Sequence, residues 1–114
     1  MRYERGVNRC AELARGHRGE QWRNVAYWCP ACKFRHSIRV REDDAPRPSW
    51  TFDGNFERPT FTPSVDYSDI RCHHVVTSGM IAFQNDCTHA MKGQTVELPF
   101  VDQEGYELDA TPSP

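Results

Sequence analysis

The chain has 114 residues, 38% of them hydrophobic, with three tryptophans and a formal charge of −2, enough for one domain with a modest core. No run approaches the roughly 18 apolar residues of a membrane-spanning helix, and the Arg-rich start lacks the apolar centre of a secretion signal, so a soluble, cytoplasmic protein is expected. The small net charge conceals a split: residues 1–41 carry ten Lys/Arg against three Glu, or +7, while residues 42–114 carry four against thirteen acidic groups, or −9, an asymmetry that suits a basic face for an anionic partner or two complementary halves.

In chain order, Tyr3, Val7, Cys10 and Ala14 recur at helical spacing through a charged stretch, which predicts an amphipathic helix over residues 2–15, ended by Gly16 and Gly19. Residues 1–20 would then form a basic N-terminal unit, either a lid on the rest or an interaction element, with Cys10 as a small apolar residue on its face. Trp22–Trp28, rich in Trp, Val and Tyr, reads as a strand that delivers the chain into Cys29-Pro30-Ala31-Cys32. Beyond it, Phe34, His36, Ile38 and Val40 alternate with Arg35, Ser37, Arg39 and Arg41, the period of a half-buried strand with an arginine face. The two strands make a hairpin whose tip holds the two cysteines.

Residues 42–48 suit an exposed connection, and Trp50, Thr51 and Phe52 resume a short strand before the Asp53-Gly54-Asn55 turn. Pro59 and Pro63 confine Arg58–Ser64 to a sheet edge or an extended loop, because proline gives no ladder hydrogen bond. Ile70–Gln84 is a hairpin turning at Ser78-Gly79, with Thr77 opposite Met80, Val76 opposite Ile81, His74 opposite Phe83 and Cys72 opposite Asn85. That register puts Cys72, His74, Val76, Ile81 and Phe83 on one face, continued by Cys87, and turns His73 and Val75 to the other. Thr95–Phe100 is the last strand, and residues 101–114 form an acidic, flexible tail.

Four of the five cysteines fall in three short clusters: CPAC at Cys29–Cys32, RCHH at Arg71–His74 and DCTH at Asp86–His89. Thiols and imidazoles at such spacings are the ligands of tetrahedral Zn²⁺, and an odd cysteine count without a secretion signal argues against a disulfide framework. Cys29 and Cys32 anchor the site. Cys72 and Cys87 complete it because they share a face, with His73 and His89 as alternates. His36 reads as a buried neighbour that hydrogen-bonds near the metal rather than as a ligand. The expected fold is mainly β, of α+β class: a small twisted antiparallel sheet with a zinc-knuckle hairpin, residues 21–100, and one N-terminal helix.

Four protein ligands make a closed, structural zinc site, whereas a hydrolytic zinc keeps an open position and a nearby base. Asp86 is the one carboxylate within the clusters that could act as that base. No HExxH, nucleophile elbow or phosphate-binding glycine loop occurs.

The spaced motifs WCPACKFRHSI, WTFDGNFERPTFTPSV and RCHHVVTSGMIAFQNDCTHAMKGQTVELP, spanning about residues 27–99, resemble a family of small phage and prophage proteins of unassigned function. The resemblance implies metal binding, and related domains are associated with bacterial ubiquitin-like conjugation genes, which implies a protein partner. The name "ammonia monooxygenase" often attached to phage members is opposed by the residues: that enzyme is a membrane-embedded copper system. Phe34-Arg35 stands where many relatives have Cys-Gly, so no ligand role carries over to that step. The first 20 residues fall outside the resemblance.

These features lead to the expectation of a phage-type accessory protein, a zinc-stabilised, non-enzymatic module that engages a host or phage protein or nucleoprotein complex through Arg35, Arg39 and Arg41. Two alternatives stand beside it: a zinc hydrolase with an open Cys/His site using His73, His89 and Asp86, and a nucleic-acid binder using the Arg-rich half.

Overall fold

The computed structural model describes residues 6–15, 22–41, 50–67 and 71–108. They form eight strands: β1 (Ala11–Arg15), β2 (Trp22–Cys29), β3 (Phe34–Arg41), β4 (Thr51–Phe52), β5 (Phe61–Tyr67), β6 (Cys72–Thr77), β7 (Met80–Phe83) and β8 (Thr95–Glu97). Strands β1-β2-β3 make one antiparallel sheet and β4-β5-β6-β7-β8 a second, all neighbours antiparallel. The β character and the β2–β3 hairpin are as expected, but as two sheets rather than one. No helix is found among the described residues, and none is long and apolar enough to cross a membrane.

The predicted N-terminal helix is replaced by β1. Ala11 pairs with Ala26 and Glu12 with Val25; Leu13 is then the extra residue of a bulge before Ala14 pairs with Asn24. Gly6 takes a positive φ of 80°, and Glu12 and Arg23 form an ion pair across the strands at 3.2 Å. Four apolar residues at helical spacing carry a weak preference, and pairing with a strand already rich in Val and Tyr overrides it. Residues 1–5 and 16–20, the rest of that expected unit, lie outside the described residues.

Alternation along the strands decides what is buried. Val25, Tyr27 and Cys29 of β2 and Ile38 and Val40 of β3 meet Phe61 and Val65 of β5, Cys72 and Val76 of β6 and Ile81 and Phe83 of β7 in one core between the sheets. Tyr27 stacks on Phe61 at 5.5 Å between ring centres, and Phe52 packs on Phe61 at 5.1 Å; such pairs add about 0.5–1.5 kcal/mol each beyond the area they bury. The β6–β7 register, with His74 opposite Phe83, Val76 opposite Ile81 and Thr77 opposite Met80, is the one predicted. A parallel bridge between Val40 and Trp50 joins the sheets along one side.

The segment expected at an edge or in a loop is strand β5, which lies between β4 and β6. Pro63 is tolerated there because β4 pairs only with Phe61 and Thr62, so the ladder on that side stops before the residue that has no N–H to give. Between Phe61, opposite Val76, and Val65, opposite His74, β5 advances four residues against two on β6, and this bulge contains Pro63 and Ser64.

Arg9 ties the chain's first described turn to the second sheet. Its side chain donates to the carbonyls of Leu98 at 3.0 Å and Glu57 at 2.8 Å, and lies over Phe100 at 4.4 Å. Residues 101–108, expected to be flexible, are packed. Val101 is fully buried and bridges Glu107, while Asp102 Oδ1 accepts the N–H groups of Glu104 and Tyr106. Gly105, at φ 86°, lies so near Ala26 that an added Cβ would sit 2.6 Å from the alanine methyl. Residues 109–114 lie outside the described part.

Candidate functional site

Two clusters of chemistry-bearing side chains meet on β6, one on each face. On the inner face, Cys29 from the end of β2, Cys32 from the following turn, His36 from β3 and Cys72 from the start of β6 bring their donor atoms within 4.8 Å of one another. The turn is shaped by Lys33 in the left-handed region, φ 63°, with Lys33 N–H donating to the Cys29 carbonyl at 2.9 Å and Cys32 N–H to Cys29 Sγ at 3.3 Å. Cys29 and Cys72 Sγ are 3.9 Å apart, close to the roughly 3.8 Å edge of a tetrahedron with 2.3 Å zinc–sulfur bonds.

The donor set fits a zinc ion on two further counts. Both ring nitrogens of His36 are buried without a hydrogen-bond partner; leaving them so costs roughly 1–3 kcal/mol each, and a metal bond to one of them removes that cost. The hydrogen bond from Cys72, with His36 close by, pulls Cys29 down to about 3 against its burial. The same interaction pushes the Cys72 thiol up, and burial raises Cys32 to about 11. Three cysteines and an imidazole converging on one point, mostly buried, are a donor set suited to a soft cation such as zinc.

His74 supports this cluster from behind. Its Nδ1 lies 3.4 Å from Cys72 Sγ and its Nε2 2.7 Å from the Tyr27 hydroxyl, so both ring nitrogens are engaged. Burial lowers His74 to about 4, which keeps it neutral. Tyr67 stacks on His36 at 4.1 Å and both donates to and accepts from the Ser37 backbone.

Of the ligands read from sequence, the structure brings Cys29, Cys32 and Cys72 together, and the fourth member of the group is His36. Cys87 stands apart, its Sγ–H donating to the His73 carbonyl at 3.1 Å. His36 lies within reach because Tyr27 pairs with it across the β2–β3 ladder, on the same inward parity as Cys29. The alternate His89 packs edge-on against Phe83, with Nδ1 accepting from Met91 N–H.

His73, the other alternate, points to the outer face. Its Nε2 is 3.0 Å from Ser64 Oγ and its Nδ1 3.1 Å from Asp86 Oδ2. A carboxylate only accepts, so Nδ1 carries the ring hydrogen and Nε2 is left to accept from the serine hydroxyl. Asp66 lies opposite His73 in the β5–β6 ladder, and Ser64, two residues back on the same face, reaches the ring diagonally from the bulge. Trp50 Nε1–H holds the Ser64 carbonyl at 3.1 Å. A cleft of about 210 Å³, lined by Asp66, Arg71, His73 and Asp86, opens beside the histidine.

Ser64 had no signal of its own in the sequence, since a serine in Thr-Pro-Ser-Val matches no nucleophile motif. Asp86 and His73 were singled out, but for a metal. Of the three arginines expected to face a partner, Arg35 is engaged internally, donating to the Glu104 carbonyl at 2.7 Å and lying 4.6 Å from the Tyr106 ring centre. Arg39 is exposed on β3, and Arg41 ends that strand.

A family model described as bacterial ubiquitination-like system serine protease (BubE) matches residues 7–84, about two thirds of the chain. The match includes Cys29, Cys32, His36, Ser64, Cys72 and His73 and ends two residues before Asp86. Comparison with curated proteins and with solved structures gives no match. The family overturns the expectation of a non-enzymatic binding module, and it agrees with the implied link to ubiquitin-like conjugation. By this match, the chain belongs to the family of bacterial ubiquitination-like system serine proteases (BubE).

Proposed function

We infer that this chain is a serine peptidase of a ubiquitination-like system, with Ser64 as nucleophile, His73 as general base and acid, and Asp86 as the group that orients His73. The observation that carries this reading is the relay from Ser64 Oγ through His73 Nε2 and Nδ1 to Asp86, at 3.0 and 3.1 Å. Those are the contacts and the ring-nitrogen roles that acyl transfer needs, whatever the fold or the order of residues in the chain.

A substrate carbonyl enters from the cleft beside His73. Ser64 Oγ attacks it as His73 Nε2 takes the hydroxyl proton, and Asp86 holds the ring in the required tautomer and stabilises its positive form. His73 returns the proton to the leaving amine, an acyl-enzyme forms on Ser64, and a water activated by the same nitrogen releases it. Cys29, Cys32, His36 and Cys72 would hold a structural zinc, which would tie β2 and β3 to β6 rather than enter the reaction. Three reduced thiols suit the cytoplasm, and the protein partner implied by the sequence becomes a protein substrate.

The test is labelling with a fluorophosphonate, which phosphonylates activated serines. One adduct per chain on Ser64, absent from Ser64→Ala and His73→Ala, is expected. No adduct on the wild type, or an equal one on Ser64→Ala, sinks the reading.

A further inference from the structure

Cys87 belongs to a motif that reads as metal-ligating, yet the thiol cluster forms without it. It is 3% exposed and packs in the same core as Cys29 and Cys72, but its hydrogen bonds go to the backbone beside the other site. The Cys87 thiol donates to the His73 carbonyl at 3.1 Å, and the Gln84 N–H donates to that same oxygen at 2.9 Å. Cys87 N–H in turn donates to the Gln84 carbonyl at 3.2 Å. Residues 84–87 therefore form a closed turn gripping the main chain of His73 at both ends, and Asp86 is carried inside it.

This matters because the Asp86 side chain is 63% exposed, against 29% for His73. An exposed carboxylate on a turn keeps a fixed distance to a partner only if its backbone is fixed relative to that partner. Gln84 secures the near end of the turn through the ladder; beside Asp86 itself, the side-chain anchor to the His73 main chain is the thiol. We propose that Cys87 is a positioning residue: it clips the turn bearing Asp86 to the backbone of His73, so that the orienting carboxylate and the ring move as one piece. The proposal rests on the reading of Ser64, His73 and Asp86 as the reacting group.

Fluorophosphonate labelling kinetics on the full chain, with kinact and KI measured separately and zinc content determined for each variant, tests it. In Cys87→Ala, kinact should fall about tenfold to a hundredfold, the usual cost of a small misplacement near a reacting centre, with KI unchanged and one zinc retained. Cys87→Ser, whose hydroxyl can donate in place of the thiol, should recover to within about threefold of wild type. Cys87→Val, which fills the space without a donor, takes the place of Cys87→Ala if the smaller residue does not fold. An unchanged kinact in the donor-less variant overturns the proposal, and so does zinc loss in both Cys87→Ala and Cys87→Ser, which would make Cys87 a ligand. Labelling of Ser64→Ala at the wild-type rate overturns the triad reading and this proposal with it, whereas an inert Ser64→Ala beside an unaffected Cys87→Ala overturns this proposal alone.

Discussion

The two faces of β6 present opposite solutions to placing reactive groups. On the inner face, Cys72, Cys29 and His36 are buried between the sheets with Cys32 at their edge, and His36 is held by stacking on Tyr67 and His74. On the outer face, Ser64 contacts His73, and His73 and Asp86 are partly exposed and line a cleft. Their geometry is borrowed from the ladder and from a short turn. The dry face suits a group that should never change, and the wet face suits one that must meet a substrate.

If that division holds, damage to the inner cluster should cost the fold, and damage to the outer one should cost only chemistry. The largest effect expected is from stripping the metal with a chelator or from Cys29→Ser. About 10 kcal/mol of binding energy is at stake, as much as the whole stability of a small domain, so circular dichroism should report unfolding and Ser64 labelling should vanish. A well-folded, metal-free Cys29→Ser protein would break the comparison. Next, Ser64→Ala should lower peptidase turnover by about 10⁶ while leaving the melting temperature and zinc content of the wild type; a fall in zinc would show that the faces are not independent. Asp86→Asn should cost about 10⁴ in the same turnover, since the ring is then held in the wrong tautomer, and a loss below tenfold would remove Asp86 from the site.

The smallest effect belongs to neither face. Arg9→Ala removes a buried and a part-buried hydrogen bond from a guanidinium to backbone carbonyls and should lower stability by about 2–3 kcal/mol, read as a shift of the denaturation midpoint, without altering labelling of the folded fraction. A change in the labelling rate itself would mean that the clamp on Leu98 and Glu57 reaches the cleft.

The inner face was the more legible one in the sequence, for a physical reason. Cys29 and Cys32 act through local geometry, a tight turn that needs two thiols three positions apart, so their spacing survives in the string of letters. Cys72 followed from strand parity. His36 was placed on the correct face, but whether it meets the thiols depends on how the two sheets pack, which parity does not encode. The outer face is assembled from positions 64, 73 and 86, and nothing in Thr62-Pro63-Ser64 marks a nucleophile. The contact between Ser64 and His73 arises only once a bulge in β5 sets the serine diagonal to the histidine. The N-terminal helix failed because four residues at helical spacing do not outweigh a waiting strand edge.

The adjacency of Cys72 and His73 gives the Ser78-Gly79 turn a significance beyond closing a hairpin. Both residues take positive φ, 51° and 80°, the conformation of a two-residue connection that sets the alignment of its strands. Strand side chains change face with every residue, so a slip of one position in β6 would turn the His73 imidazole inward and the Cys72 thiol outward. Two residues far from either centre therefore act as a gauge for both, since a register error of one position turns the thiol and the imidazole to the wrong faces at once rather than merely loosening a loop.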